Sequence, residues 1–385
     1  MPNRPSSPGS LLAQLVAERQ SIWLDYIHRR MLQSGELKTL IERRAVRGVT
    51  SNPTIFEQAM GQGDTYDEAI ARLASEGKDT QAIYEALAIE DIRGACDLFR
   101  PIYEMSAAND GYVSMEVSPR LAHDADRTIA EARRLWQAIG RPNAMIKIPG
   151  TAEGLPAVSQ ALAEGINVNV TLLFSVAMYE RVIDAYITGL ERRAAAGQPI
   201  ETVRSVASFF VSRVDIETDK RLAALGTAAA SALMGTAAVA NAKLAYSQYT
   251  AHFEGDRFRQ VMAKGAAVQR PLWASTGTKN PAYPDTKYVD GLIGPDTVNT
   301  MPPATLEAFA DHGTAHRTID EDVDRAREQV AAIEALGIRL SDVTDFLVSD
   351  GVKKFADSFT QLLMTIDAKR VKLAAAGLVD QPLAK

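Results

Sequence analysis

Residues 144–172 read AMIKIPGTAEGLPAVSQALAEGINVNVTL. The stretch opens on a short β-branched run, 144–149. It passes through an amphipathic segment, 154–163, and ends on a second run, 166–172. A crossover of that length between two strands is a βαβ unit with parallel strands. The same alternation recurs along the chain. Further candidate strands fall at 22–25, 48–51, 112–117, 203–210, 271–275 and 288–292, with helical stretches such as 125–139 and 176–195 between them. Eight strands alternating with helices, and no Gly-x-Gly-x-x-Gly after any of them, predict a closed parallel α/β barrel over an open dinucleotide-binding sheet.

Two crossovers are long. Residues 57–105 have room for more than one helix, as do residues 215–264, where the Ala-rich part at 223–244 is a strong helix former. Residues 341–375 predict a long helix or a helical pair packed over the barrel. The first ten residues, MPNRPSSPGS, lack an apolar core and predict a disordered tail. One barrel domain is expected over residues 11–385, with no second domain after Pro382-Leu383-Ala384-Lys385.

Composition narrows the function. With 42 Lys+Arg against 48 Asp+Glu the net charge is −6, the wrong sign for a nucleic-acid protein. No window reaches the roughly 18 apolar residues of a membrane span. A cytoplasmic location is expected. The single cysteine, Cys96, rules out an internal disulfide framework and reads as a small buried hydrophobe. Of the five histidines none is spaced as a ligand to another, so no metal site is expected.

On a barrel strand alternate residues face outward to helices or inward, where bulky aliphatic side chains normally fill the interior. In Met145-Ile146-Lys147-Ile148-Pro149 the isoleucines share the outward face, which turns Lys147 inward. Burial there favours its neutral amine, the form that adds to a carbonyl to make a Schiff base. A structural lysine with a buried carboxylate partner is the alternative, and the strand by itself weighs the two evenly. The other strands tip the balance. Asn167, Asn169 and Thr171 share one face, as do Ser114 and Glu116, and Thr50 and Asn52. Asp25 ends the first strand, Ser208 lies late in the sixth, and Ser275 and Thr276 end the seventh. Polar side chains converging on the C-terminal ends of the strands are what a barrel active site consists of. Beyond the sixth strand comes Arg213. Beyond the seventh comes Lys279, in a Gly-, Ser- and Thr-rich loop able to cradle an anion. Alone each reads as a surface charge; beside this constellation they predict a phosphorylated substrate.

In these segments the chain resembles transaldolase, the Schiff-base-forming enzyme of the pentose phosphate pathway. The pieces are SIWLDYI around Asp25, GVTSNPTIF around Asn52, SMEVSP around Glu116, MIKIPGT around Lys147, INVNVTLLFS around Thr171, ASFFVSR through Ser208 and Arg213, and LWASTGTKNP around Lys279. The resemblance runs from about Ser21 to the C-terminal helix. It implies a single (β/α)8 barrel in which Lys147 is the Schiff-base lysine and Asp25 the acid/base for carbon–carbon cleavage. Glu116 and Thr171 then hold the catalytic water. Thr50, Asn52, Asn169, Ser208 and Ser275 bind substrate or shape the site, and Arg213 binds phosphate. Many transaldolases place a second phosphate-binding arginine in an Ala-Ser-Phe-Arg-Asn segment. Here that segment is two residues longer and carries Lys279, as in the subgroup of transaldolases near this chain length. The implied reaction moves a dihydroxyacetone unit from sedoheptulose 7-phosphate or fructose 6-phosphate to glyceraldehyde 3-phosphate or erythrose 4-phosphate. It needs no metal or organic cofactor, in a monomer or homodimer. A fructose 6-phosphate aldolase that releases free dihydroxyacetone would use nearly the same residues. A non-catalytic binding barrel should have lost the lysine or the carboxylates, and none is lost.

Overall fold

Eight parallel strands close into a barrel in chain order, with the first strand pairing the last. The computed structural model describes residues 10–379. The strands are β1 (Gln20–Leu24), β2 (Val46–Val49), β3 (Tyr112–Glu116), β4 (Ala144–Pro149), β5 (Val168–Leu173), β6 (Ser205–Phe210), β7 (Arg270–Ala274) and β8 (Thr297–Met301). Helices fill every crossover and form the outer layer. The long crossover after β2 holds three, Pro53–Gly61, Asp67–Ser75 and Thr80–Met105, and the one after β6 holds four between Ser212 and Met262. The C-terminal segment is one helix of 36 residues, Leu340–Ala375. Among the described residues no helix is long and apolar enough to cross a membrane. Positions 1–9 of the expected tail lie outside the described residues; Ser10, its last residue, caps the helix Leu11–Ala17 by accepting from the Ala13 amide.

The eighth strand is not where the sequence placed it. Within residues 288–292 Tyr288, Val289 and Leu292 are buried, but the segment folds into the short helix Lys287–Asp290 and a turn. A short buried run has no periodicity that separates strand from helix. The true β8, Thr297-Val298-Asn299-Thr300-Met301, is polar on both faces and has no aliphatic stripe. Asn167 is a second correction. It precedes β5, at the end of the barrel away from the mouth. Its Nδ2 donates to the carbonyls of Pro142 (2.8 Å) and Ala144 (3.1 Å), and its Oδ1 accepts from the Arg204 amide (2.9 Å), tying neighbouring strands together.

The barrel interior is filled by interlocking sizes. Trp23 on β1 lies in register with Gly48 on β2. A Cβ on Gly48 would sit 2.6 Å from the indole, so only glycine leaves room. At the N-terminal end Arg270 donates to Ser21 Oγ (2.7 Å) and pairs with Asp110 (3.3 Å), which also accepts from Trp23 Nε1 (2.8 Å). These buried polar groups satisfy one another and plug that end. Cys96 is fully buried.

Candidate active site

The register of β3, β4 and β5 sets the centre of the mouth. Glu116 pairs with Lys147, and Lys147 with Asn169, so three inward polar side chains stand abreast. Lys147 is 4% exposed and Glu116 8%. Lys147 Nζ donates to the Ser51 carbonyl (3.2 Å) and lies 3.4 Å from Glu116 Oε2. The second contact is a charge contact without hydrogen-bond alignment, for neither Glu116 oxygen has a hydrogen-bond partner among the described residues. The carboxylate partner that a structural lysine requires is therefore present. It is a poor anchor, and the lysine it faces opens into a cleft.

That cleft encloses about 530 Å³ and is lined by Asp25, Thr50, Asn52, Lys147, Ser208, Arg213, Ser275 and Lys279, together with Phe210, Thr300 and Phe355. Eight of the expected site residues thus share one space. The other three lie just beneath or beside it. Asn169 is fully buried, its Nδ2 donating to Ser114 Oγ (3.0 Å) and its Oδ1 accepting from Ser208 Oγ (2.6 Å). Both ends of the amide are held, which fixes its place beside Lys147. Thr171 is fully buried, and its hydroxyl has no protein partner among the described residues. It immediately precedes Leu172, whose φ of 59° is a strained value for a bulky residue. Glu116 faces a smaller cavity on its other side, bounded by Tyr84 and Phe359.

Asp25 caps the end of β1. Its amide donates to Met301 O (2.8 Å) and its Oδ1 accepts from Thr50 Oγ1 (2.7 Å). The Thr50 hydroxyl also meets Thr300 Oγ1 at 2.7 Å. Thr300 was out of reach of sequence reasoning because β8 was misplaced; the pair Val298 and Thr300, two apart on one face, was the signal. Burial pushes the Asp25 carboxyl up, against Lys147, the Thr50 hydrogen bond, Arg213 and Lys279, which pull it down. Burial likewise pushes Glu116 up, opposed by Lys147. Asn52 has a structural duty as well: its side chain accepts from the Ile55 amide (3.0 Å) and caps the helix Pro53–Gly61, with Pro53 in the first turn.

Arg213 lies in the first turn of the helix Ser212–Leu225. Its guanidinium stands 5.2 Å from the Phe210 ring centroid. Nη1 is buried without a hydrogen-bond partner among the described residues, and burial pushes the guanidinium down, opposed by Asp350, Asp25 and Glu116. Lys279 is exposed. Among the described residues neither cation is in a salt bridge. Ser275 holds the loop in place with φ 57°, its hydroxyl 3.0 Å from Ser212 Oγ. Thr276 turns away and donates to Asn299 Oδ1 (2.8 Å).

A buried amine beside a buried carboxyl at the strand ends of an α/β barrel, with two cations outside any salt bridge lining the same cleft, is the arrangement of a barrel enzyme whose site lies at the mouth. Comparison with known proteins narrows the class. The model of the transaldolase/fructose-6-phosphate aldolase family matches residues 22–366, and the chain belongs to that family. It is 53% identical over 356 residues to a protein named transaldolase from Parafrankia sp. (strain EAN1pec), covering 92% of this chain and 96% of the relative. It is 52% identical over 356 residues to one from Thermobifida fusca, covering 92% and 97%. A third, from Mycobacterium marinum, is 51% identical over 366 residues, covering 94% and 97%.

Proposed function

We infer that the protein is a transaldolase, transferring a dihydroxyacetone unit between sugar phosphates through a Schiff base on Lys147. The observation that carries this is the sharing of one cleft by Lys147, Asp25 and the unpaired Arg213. The family to which the chain belongs supports it.

The Lys147 amine adds to the C2 carbonyl of a ketose phosphate. The carbinolamine loses its hydroxyl as water, with Glu116 supplying the proton; a carboxyl raised by burial is suited to that task. The Glu116 oxygens and the Thr171 hydroxyl, buried without hydrogen-bond partners among the described residues, are suited to holding a water. The iminium ion then draws electrons from the C3–C4 bond while Asp25 takes the C4 hydroxyl proton. An aldose phosphate leaves, and a three-carbon enamine remains on Lys147. That enamine attacks the aldehyde carbon of an acceptor aldose phosphate, and Asp25 returns the proton to the new hydroxyl. Water adds to C2 of the product iminium, the C–N bond breaks, and the ketose phosphate departs. Arg213 and Lys279 hold the phosphate, while Asn169, fixed by Ser114 and Ser208, and Asn52 face the three-carbon part.

The test is borohydride reduction in the presence of fructose 6-phosphate, followed by peptide mass mapping. A reduced three-carbon adduct on Lys147 is expected. No adduct, from folded protein under conditions that trap a known transaldolase, would overturn the assignment. Rapid turnover of fructose 6-phosphate without an acceptor would replace transfer by aldol cleavage with release of dihydroxyacetone.

A further inference from the structure

One wall of the cleft comes from the C-terminal helix, outside the eight strands and the loops that follow them. Phe355, 3% exposed, comes from the C-terminal helix and lies over both working cations. Its ring centroid is 5.8 Å from Lys147 Nζ and 5.9 Å from the Arg213 guanidinium carbon. Both distances are at the outer limit of a cation–π interaction, about 6 Å. Attraction between ring and charge is therefore a minor part of what the ring contributes. What a phenyl group does at that place is occupy space that water would otherwise fill.

Its position is set by packing on either side along the helix. One turn earlier, Gly351 lets the helix approach the end of β5: a Cβ there would lie 3.0 Å from Leu172 Cδ2 and 3.7 Å from Arg213 Nη1. Nearly one turn later, Ser358 Oγ accepts from Thr54 Oγ1 (2.8 Å), joining the helix to the one that Asn52 caps. The ring is a fixed wall on a helix anchored at both flanks.

The lysine-bound enamine has two fates. In transfer its nucleophilic carbon bonds to the acceptor aldehyde carbon, and the aldehyde oxygen takes the proton. In release that carbon takes a proton from solvent instead; water then adds to C2, the C–N bond breaks, and free dihydroxyacetone leaves the Lys147 amine. The first event of release needs solvent at the enamine. Excluding it suppresses a side reaction of a reactive intermediate. We propose that Phe355 is a specificity-determining residue: its ring keeps solvent from the enamine and so sets the balance between transfer and release. This rests on the transaldolase assignment.

The experiment measures, for wild type and Phe355→Ala, dihydroxyacetone released from fructose 6-phosphate without acceptor. It also measures transfer to erythrose 4-phosphate, and deuterium taken from heavy water into the released triose. Phe355→Leu, which keeps most of the volume, serves if the alanine variant fails to fold. Leu362→Ala, at a fully buried position two turns along the same helix, is the control for loosened packing. Borohydride trapping on Lys147 is run on all four proteins. The expected result is a release-to-transfer ratio raised by about tenfold or more in Phe355→Ala, a relative barrier change of about 1.4 kcal/mol. A smaller rise is expected in Phe355→Leu and none in Leu362→Ala, with trapping retained. An unchanged ratio in a folded, trappable Phe355 variant overturns the proposal, as does an equal rise in Leu362→Ala. Failure of the wild type itself to trap would remove the assignment beneath it, a result separable from the other two.

Discussion

Replacing Arg213 with methionine should separate phosphate recognition from chemistry. The guanidinium is half-buried, packed against Phe210 and Phe355 with Nη1 unpartnered among the described residues, so packing orients its planar fork before any ligand arrives. A hydrogen bond to a charged group contributes about 1.5–3 kcal/mol, and the fork offers two to a phosphate. Lys279 and water replace part of this, leaving a net loss of about 2–4 kcal/mol, or roughly 30- to 1,000-fold in kcat/KM for fructose 6-phosphate. With dihydroxyacetone as a phosphate-free donor the change should stay within about twofold, since an interaction absent from the substrate cannot be lost. Arg213→Lys keeps the charge but not the fork and should fall between. Folding should respond in the opposite sense. An unpaired, partly desolvated cation costs stability, so Arg213→Met should melt no lower than wild type without ligand. It should also lose the rise in Tm that inorganic phosphate gives the wild type by mass action. Steady-state kinetics with both donors and thermal melts with and without phosphate decide it. Equal loss on both donors, or a lower Tm with unchanged kcat/KM, would refute the reasoning.

Lys147→Ala should abolish covalent trapping altogether, read by mass spectrometry after borohydride reduction. Asp25→Asn should keep trapping but slow cleavage by about 10²–10⁴-fold, as measured by stopped-flow release of the aldose phosphate. Because burial raises the Asp25 carboxyl, the folded state disfavours its anion. The charge therefore costs stability at neutral pH, and the cost disappears as pH falls below the ordinary carboxylate range. Asp25→Asn should thus raise Tm at pH 8, with the gap to wild type closing on acidification. In the wild type, kcat/KM should fall as pH drops through this raised carboxyl, and the sodium salt concentration should be held constant in that series. Gly48→Ala places a methyl 2.6 Å from the Trp23 indole and should destabilise the barrel by about 1–3 kcal/mol in urea unfolding, leaving the trapped lysine unchanged.

Lys147, Glu116 and Asn169 were legible because a strand has a period of two and a barrel interior is normally aliphatic. A polar residue on the inward face stands out against that background without any knowledge of its neighbours. The same logic failed where its premises did. Asn167 has the right parity but precedes the first residue of β5, and parity does not say where along the barrel axis a strand begins. At β8 there was no aliphatic background: Thr297, Asn299 and Thr300 make the strand resemble a turn, while Tyr288, Val289 and Leu292 make 288–292 resemble a strand. Thr300 was lost with it. Phe355 was beyond sequence reasoning for another reason. Many apolar positions in a 36-residue helix fit a core-facing stripe, and which of them overlies the mouth depends on where Gly351 lets the helix settle.

The seam between the first and last strands has a consequence for synthesis of the chain. Gln20 donates to Thr297 Oγ1 across 277 residues, and Asp25 takes its backbone partner from Met301. At roughly 5–20 residues per second, β1 leaves the ribosome tens of seconds before the strand that covers its free edge. Throughout that interval Trp23 and one row of backbone donors and acceptors stand open, the state in which strand edges join the wrong neighbour. The nascent protein gains its closed ring only once Met301 has been made, and the Phe355 wall only some fifty residues later.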